Sequence, residues 1–163
     1  MHIHNYHSLE TANSIYEYII QYVSIHIYPP TYEEIRNSIR LKSNTSIIQY
    51  LELLSDLKYI SFIRNQPRSI RLLSYTIVPT VTFDLSTYNL SKIDISLYNY
   101  LVSYITTNCY SPSYEEIQQN MNYNSKSTIQ AHLRHLESVG LIQIDHYPAS
   151  RSIHLNYFKL EPK

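Results

Sequence analysis

An α+β fold, mainly helical with small β-hairpins and built as two units in tandem, is predicted by three observations. The first is a stretch written twice. Tyr28–Ile60 realigns on Tyr110–Ile142 without a gap at one offset (114 − 32 = 82), and Pro30, Glu33, Glu34, Ile35, Ser43, Ile47, Leu51, Leu54 and Ile60 recur unchanged. Upstream, Tyr16, Tyr18 and Tyr22 recur as Tyr98, Tyr100 and Tyr104. Downstream, Arg68-Ser69-Ile70 recurs as Arg151-Ser152-Ile153 after a one-residue slip. A self-match at fixed spacing marks a repeated structural unit. The second observation is helical spacing of apolar residues inside each copy, and the third is a pair of β-rich runs around a turn that closes each copy.

Within the first copy, residues 1–10 hold His2, His4 and His7. Such a tract can bind metal, but no nearby carboxylate or cysteine completes a site, so a loosely held tail is expected. From Thr11 to about Ile27, Ile15, Ile19 and Val23 line one helix face, with Thr11 or Asn13 as the cap and Pro29-Pro30 as the stop. Thr31-x-x-Glu34 is a capping box, and Ser113-x-x-Glu116 repeats it. That position assigns Glu33 and Glu34 to a helix's first turn rather than to acid–base chemistry. The short helix ends near Ile39. Ser43 opens a longer one whose core stripe is Ile47, Leu51, Leu54 and Leu57. Tyr59–Arg64, the turn at Asn65-Gln66-Pro67 and Arg68–Leu73 then read as a hairpin; the second copy has Leu141–Asp145, a turn around Pro148 and Arg151–Leu155. Between the copies, Val81, Phe83 and Leu85 alternate as in an ordered strand, with Pro79 confining it to an edge. Ser91-x-x-Asp94 starts the next helix, whose Leu97, Leu101 and Ile105 repeat the first. The boundaries expected are a tail at 1–10, domains at 11–75 and 91–163, and an interdomain segment at 76–90.

Each unit is thus a helix, a short helix, a longer helix and a hairpin, which is a winged helix-turn-helix. The chain has 163 residues, 44% hydrophobic, with zero formal charge. Units of roughly 70 residues bury only about 60% of their unfolded surface, so mutual packing is expected. No apolar run reaches the roughly 18 residues of a membrane span, and the start lacks the pattern of a secretory signal. The single cysteine, Cys109, replaces Ile27 of the first copy and reads as a small buried apolar residue. A cytoplasmic location is the expectation. Zero net charge counts against purely electrostatic nucleic-acid binding, although cations can be gathered on one face. One glycine in the chain leaves no phosphate-cradling loop, and no nucleophile motif is present. No enzyme activity, catalytic residue, cofactor or metal site is therefore expected; His132 and His135 lack further ligands at a recognisable spacing.

On Pro29-Pro30-Thr31, Glu34-Ile35, the serines Ser43 and Ser125, His132-Leu133-Arg134-x-Leu136, Gly140-x-Ile142 and Arg68–Leu73, each unit resembles the N-terminal DNA-binding domain of LexA-type repressors. The resemblance covers most of both copies and leaves out the tail, the interdomain segment and Asn156–Lys163. It implies sequence-specific binding of double-stranded DNA and transcriptional repression. The chain has no room for that family's self-cleaving serine–lysine peptidase, so autoproteolysis is not implied. The positions that would read bases are Thr45, Ile48 and Gln49 in one copy but Ser127, Gln130 and Ala131 in the other.

Under this reading, the first recognition helix offers Ser43, Asn44, Thr45, Ser46, Ile48 and Gln49 to the major groove. The second offers Ser125, Lys126, Ser127, Thr128, Gln130 and Arg134. Wing residues Arg64, Arg68, Arg71, Arg151 and His154 would hold the phosphate backbone. The unlike sets predict an asymmetric site or one dominant head, on a monomer with an internal repeat or on a homodimer. Two competing readings use the same scaffold. A protein-binding winged helix fits the neutral charge, the many Tyr residues and the outward Ile48, and a replication-initiator-like protein also uses paired winged helices.

Overall fold

The computed structural model describes the backbone of residues 3–145 and 151–163, with side chains from residue 8. Among these residues lie six α-helices and three two-stranded antiparallel sheets, an arrangement consistent with a winged helix. The N-terminal half contains α1 (Ile3–His26), α2 (Tyr32–Ile39), α3 (Asn44–Asp56) and the hairpin of β1 (Ile60–Ser61) with β2 (Arg71–Leu72). The C-terminal half contains α4 (Lys92–Asn108), α5 (Tyr114–Met121), α6 (Lys126–Ser138) and the pair β4 (Ile142–Ile144) with β5 (Ile153–Leu155). A third sheet joins the halves: β3 (Tyr75–Pro79) pairs antiparallel with β6 (Phe158–Pro162).

The caps explain where the short helices start. Thr31 Oγ1 accepts from the Glu34 amide while Glu34 accepts from the Thr31 amide, and Ser113 with Glu116 does the same. Left-handed residues end them, Arg40 (φ 59°) and Asn122 (φ 54°). Ser43 and Ser125 then cap the longer helices through the amides of Ser46 and Thr128. The expected stripes are the cores: Ile15, Ile19, Ile47, Leu51 and Leu54 on one side, Leu97, Leu101, Ile129, Leu133 and Leu136 on the other, all buried.

Four expectations are corrected. Helix α1 begins at Ile3 rather than Thr11, because residues 1–26 contain no Gly or Pro to interrupt it. Thr11 and Asn13 are therefore inside the helix, and the 1–10 tail is helical from Ile3. Leu57 leaves the core stripe: it follows the last turn of α3 as its C-cap and is 48% exposed. The interdomain strand is Tyr75–Pro79, not the run through Val81, which is exposed; its partner β6 lies in the segment left outside the repeats. Helix α1 also stops before its prolines, at Ile27 in the left-handed region (φ 58°), as α4 stops at Cys109 (φ 61°). Both residues are buried in the same cluster, and burial pushes the Cys109 thiol pKa up. The turn around Pro148 lies outside the described residues.

Candidate nucleic-acid interface

The first turns of α3 and α6 present most of the residues expected to read bases. Asn44, Thr45 and Gln49 are exposed and Ser46 and Ile48 half-buried on α3; Lys126, Ser127, Thr128 and Arg134 are exposed and Gln130 half-buried on α6. Ser43 and Ser125 sit one residue outside, with their hydroxyls committed to capping. The faces differ in charge. Helix α3 carries Glu52 and Asp56 and no Lys or Arg, whereas α6 carries Lys126 and Arg134 against one carboxylate, Glu137. Lys126 Nζ lies 2.5 Å from Glu115 in a solvent-exposed pair, which holds it only weakly.

In front of α3, the start of α2 and the wing turn enclose a cleft of about 490 Å³ lined by Thr31, Tyr32, Glu33, Asn44, Ile48 and Pro67. No cation lines it. The wing's Arg64 is exposed and is paired with Glu52 at 2.8 Å.

Of the other four wing residues, Arg68 and Arg151 are buried and Arg71 and His154 half-buried. Arg68 is 6% exposed. It donates to Pro29 O (3.1 Å), Tyr22 Oη (3.1 Å) and Glu34 Oε1 (2.9 Å) and lies over the Tyr28 ring. Arg151, 5% exposed, repeats this with Ser111 O (3.2 Å), Glu116 Oε2 (2.9 Å) and the Tyr110 ring. Tyr22 and Tyr104 complete the latches by donating to Glu34 (2.9 Å) and Glu116 (2.8 Å). A guanidinium forced inside must be paired; the capping-box carboxylate, already anchored at a helix start, is the partner within reach. Burial opposes ionisation of Glu34 and Glu116, but the cap amide and the arginine outweigh it and hold both pKa values down. Each latch ties the first helix, the start of the short helix and the wing into one piece.

Arg71 and His154 face the junction between the halves. Arg71 is half-buried beside Cys109. His154 is half-buried near Asp145 and His26, and burial lowers its pKa. In the same junction Tyr28 Oη donates to Asp145 Oδ2. Sequence reasoning missed both latches, although the recurrence of Tyr22, Glu34 and Arg68 as Tyr104, Glu116 and Arg151 was the available signal.

It also missed what His132 and His135 do. Their Nδ1 atoms lie 2.8 Å and 3.0 Å from the two oxygens of Asp94, which is 1% exposed and caps α4 with Ser91. Burial opposes the Asp94 charge, yet Ser91 and the two imidazoles hold its pKa well below the ordinary range. The described residues contain no cluster of three or more His, Cys, Asp or Glu arranged to hold a metal, and no described helix is long and apolar enough to cross a membrane.

Known proteins resemble part of this chain. The LexA repressor of Koribacter versatilis (strain Ellin345) is 40% identical over 67 residues, 41% of this chain and 30% of that protein. The LexA repressor of Syntrophobacter fumaroxidans (strain DSM 10017 / MPOB) is 42% identical over 55 residues, 34% of this chain and 27% of that protein. The chain spans less than a third of the length of either relative. The model of the LexA DNA binding domain matches residues 88–152, which hold α4, α5, α6 and β4, so that segment of the C-terminal half is similar to a LexA-type DNA-binding domain.

Proposed function

We propose that the chain is a transcriptional regulator, a repressor, that binds specific double-stranded DNA sequences through two linked winged-helix heads. The observation that carries this is the exposed, cation-bearing surface of α6, with Lys126, Ser127 and Thr128 in its first turn and Arg134 about two turns further on, inside the segment that matches the LexA DNA binding domain. Side chains of this kind on the start of a groove-entering helix can read base edges and phosphates. The second head rests on the repeated sequence and on α2 and α3, which occupy the places of α5 and α6 shifted by the repeat offset. Tethering two heads raises affinity through effective concentration. In this reading DNA is the partner, with no cofactor, metal or catalysis.

Fluorescence anisotropy on a randomised duplex pool, repeated across salt concentrations with the bound DNA sequenced, tests the proposal. A recovered motif with affinity falling steeply as salt rises is the expected result. Flat anisotropy at low salt overturns it. One observation favours a second reading for the N-terminal half alone: its cleft, with Tyr32, Ile48 and Glu33 and no lining cation, suits a protein segment better than a phosphate chain. A pull-down that survives high salt and is lost on Ile48→Asp would support that reading.

A further inference from the structure

The strand ladder that joins the halves is built of exchanged pairs. Past the one-residue slip the repeat offset becomes one larger (151 − 68 = 83), so β3 and β6 are counterparts. In their ladder Ile77 faces Leu160, its own counterpart. The outer rungs exchange around that centre, Tyr75 with Pro162 against Pro79 with Phe158, and Thr76 with Glu161 against Val78 with Lys159. The flanking bonds exchange too: the Lys163 amide donates to Ser74 O at 3.0 Å, and the Thr80 amide donates to Tyr157 O at 2.7 Å. Helix α1 packs on β6 while α4 packs on β3. Arg71 sits beside Cys109, and its counterpart His154 beside the end of α1.

Reciprocal contact, in which two residues that meet have counterparts that meet with the halves exchanged, is the property of a two-fold interface. A head-to-tail repeat would place one patch against a different patch and would need no such exchange. The exchange also uses the segments that follow each wing, so it fixes the two groove-facing helices by rotation rather than by translation along the chain.

We infer that one copy of this chain is a fused two-fold pair, and that its target is a duplex carrying two unlike half-sites in inverted orientation, filled by a single chain. This rests on the DNA-binding reading above. The inverted order follows from the rotation. The unlike half-sites follow from the different side chains at Asn44, Thr45, Ile48 and Gln49 against Lys126, Ser127, Gln130 and Ala131.

The test uses the intact chain and synthetic duplexes built from half-sites selected out of a random pool. The two half-sites are placed in inverted or direct order, with the spacing scanned over one helical turn, and the complexes are weighed by native mass spectrometry. The inverted order at its best spacing is expected to bind about a hundredfold tighter than either half-site alone, with one chain per duplex. The direct order is expected to bind no better than one half-site. A preference for direct order, or two chains on each inverted pair, overturns the inference while leaving DNA binding intact. Recovery of no DNA at all overturns both.

Discussion

Helices α3 and α6 have the same length, the same serine cap and the same buried stripe, yet they are held and exposed differently. Against α3, the position of Asp94 is taken by Ala12, and those of His132 and His135 by Tyr50 and Leu53. One helix therefore rests on apolar contact, and the other is tied to its neighbour by a buried carboxylate shared between two imidazoles. Their outer faces diverge as well, acidic on α3 and basic on α6. The difference teaches that the stripe and the caps specify the scaffold. The remaining surface can change in charge without disturbing it, because interior packing responds to volume and apolarity while exposed positions are seldom worth more than about 0.5 kcal/mol.

The largest expected effect tests the feature the halves share. Arg68→Ala and Arg151→Ala each remove a buried guanidinium and leave a half-buried carboxylate with one partner fewer. Breaking a buried pair in this way costs about 3 kcal/mol, near the lower end of its usual range because Glu34 and Glu116 retain some solvent. Urea denaturation is expected to give equal losses. A gap larger than about 1 kcal/mol would break the equivalence of the two latches.

These latches also measure how much could be read from sequence. The capping boxes at Thr31 and Ser113, the serine caps and the apolar stripes were legible because each depends on neighbours three or four residues apart. The inner face of the wing was not. Arg68 and Arg151 look like surface cations from local sequence; only the return of the chain past Pro29 and Ser111 puts carbonyls, a carboxylate and a ring around each guanidinium. The surroundings of Arg71 and His154 were hidden for a related reason: the strand pair β3–β6 folds the halves together and brings that side of each wing to the junction. The exposed starts of α3 and α6, by contrast, follow from helix phase alone.

Under the proposed function, the next largest effect is on DNA affinity and separates the two halves. Lys126→Ala with Arg134→Ala is expected to weaken binding by about 2 kcal/mol and to lower the salt slope by about 2, one for each cation lost. Asn44→Ala with Gln49→Ala removes hydrogen bonds and no charge; about 1 kcal/mol with an unchanged slope is expected. Equal slopes for the two double variants would show that charge does not distinguish the heads.

The polar tie on α6 predicts a smaller difference, in acid. The Asp94 pKa is depressed in the fold, so its contribution is complete above the unfolded value of about 3.9 and is lost as pH falls through the folded one. Asp94→Ala should remove about 1–2 kcal/mol at neutral pH, a typical capping loss, and make the acid unfolding of the C-terminal half less steep. Ala12→Ser should leave the acid profile of the N-terminal half unaltered. Residue-resolved NMR titration separates the two.

The smallest expected effect lies at the junction. His154 is held below its ordinary pKa by burial, with His26 acting in the same direction and Asp145 opposing. Below about pH 6.5 the unfolded chain therefore takes up a proton that the folded chain resists, and stability falls as pH drops through that window. His154→Gln removes the proton site while keeping a polar side chain of similar reach. It should flatten the slope of stability between about pH 6.5 and 5 by less than 1 kcal/mol. Arg71→Gln, the counterpart substitution across the junction, should leave the slope in place. A slope that survives His154→Gln would assign the titration to another group.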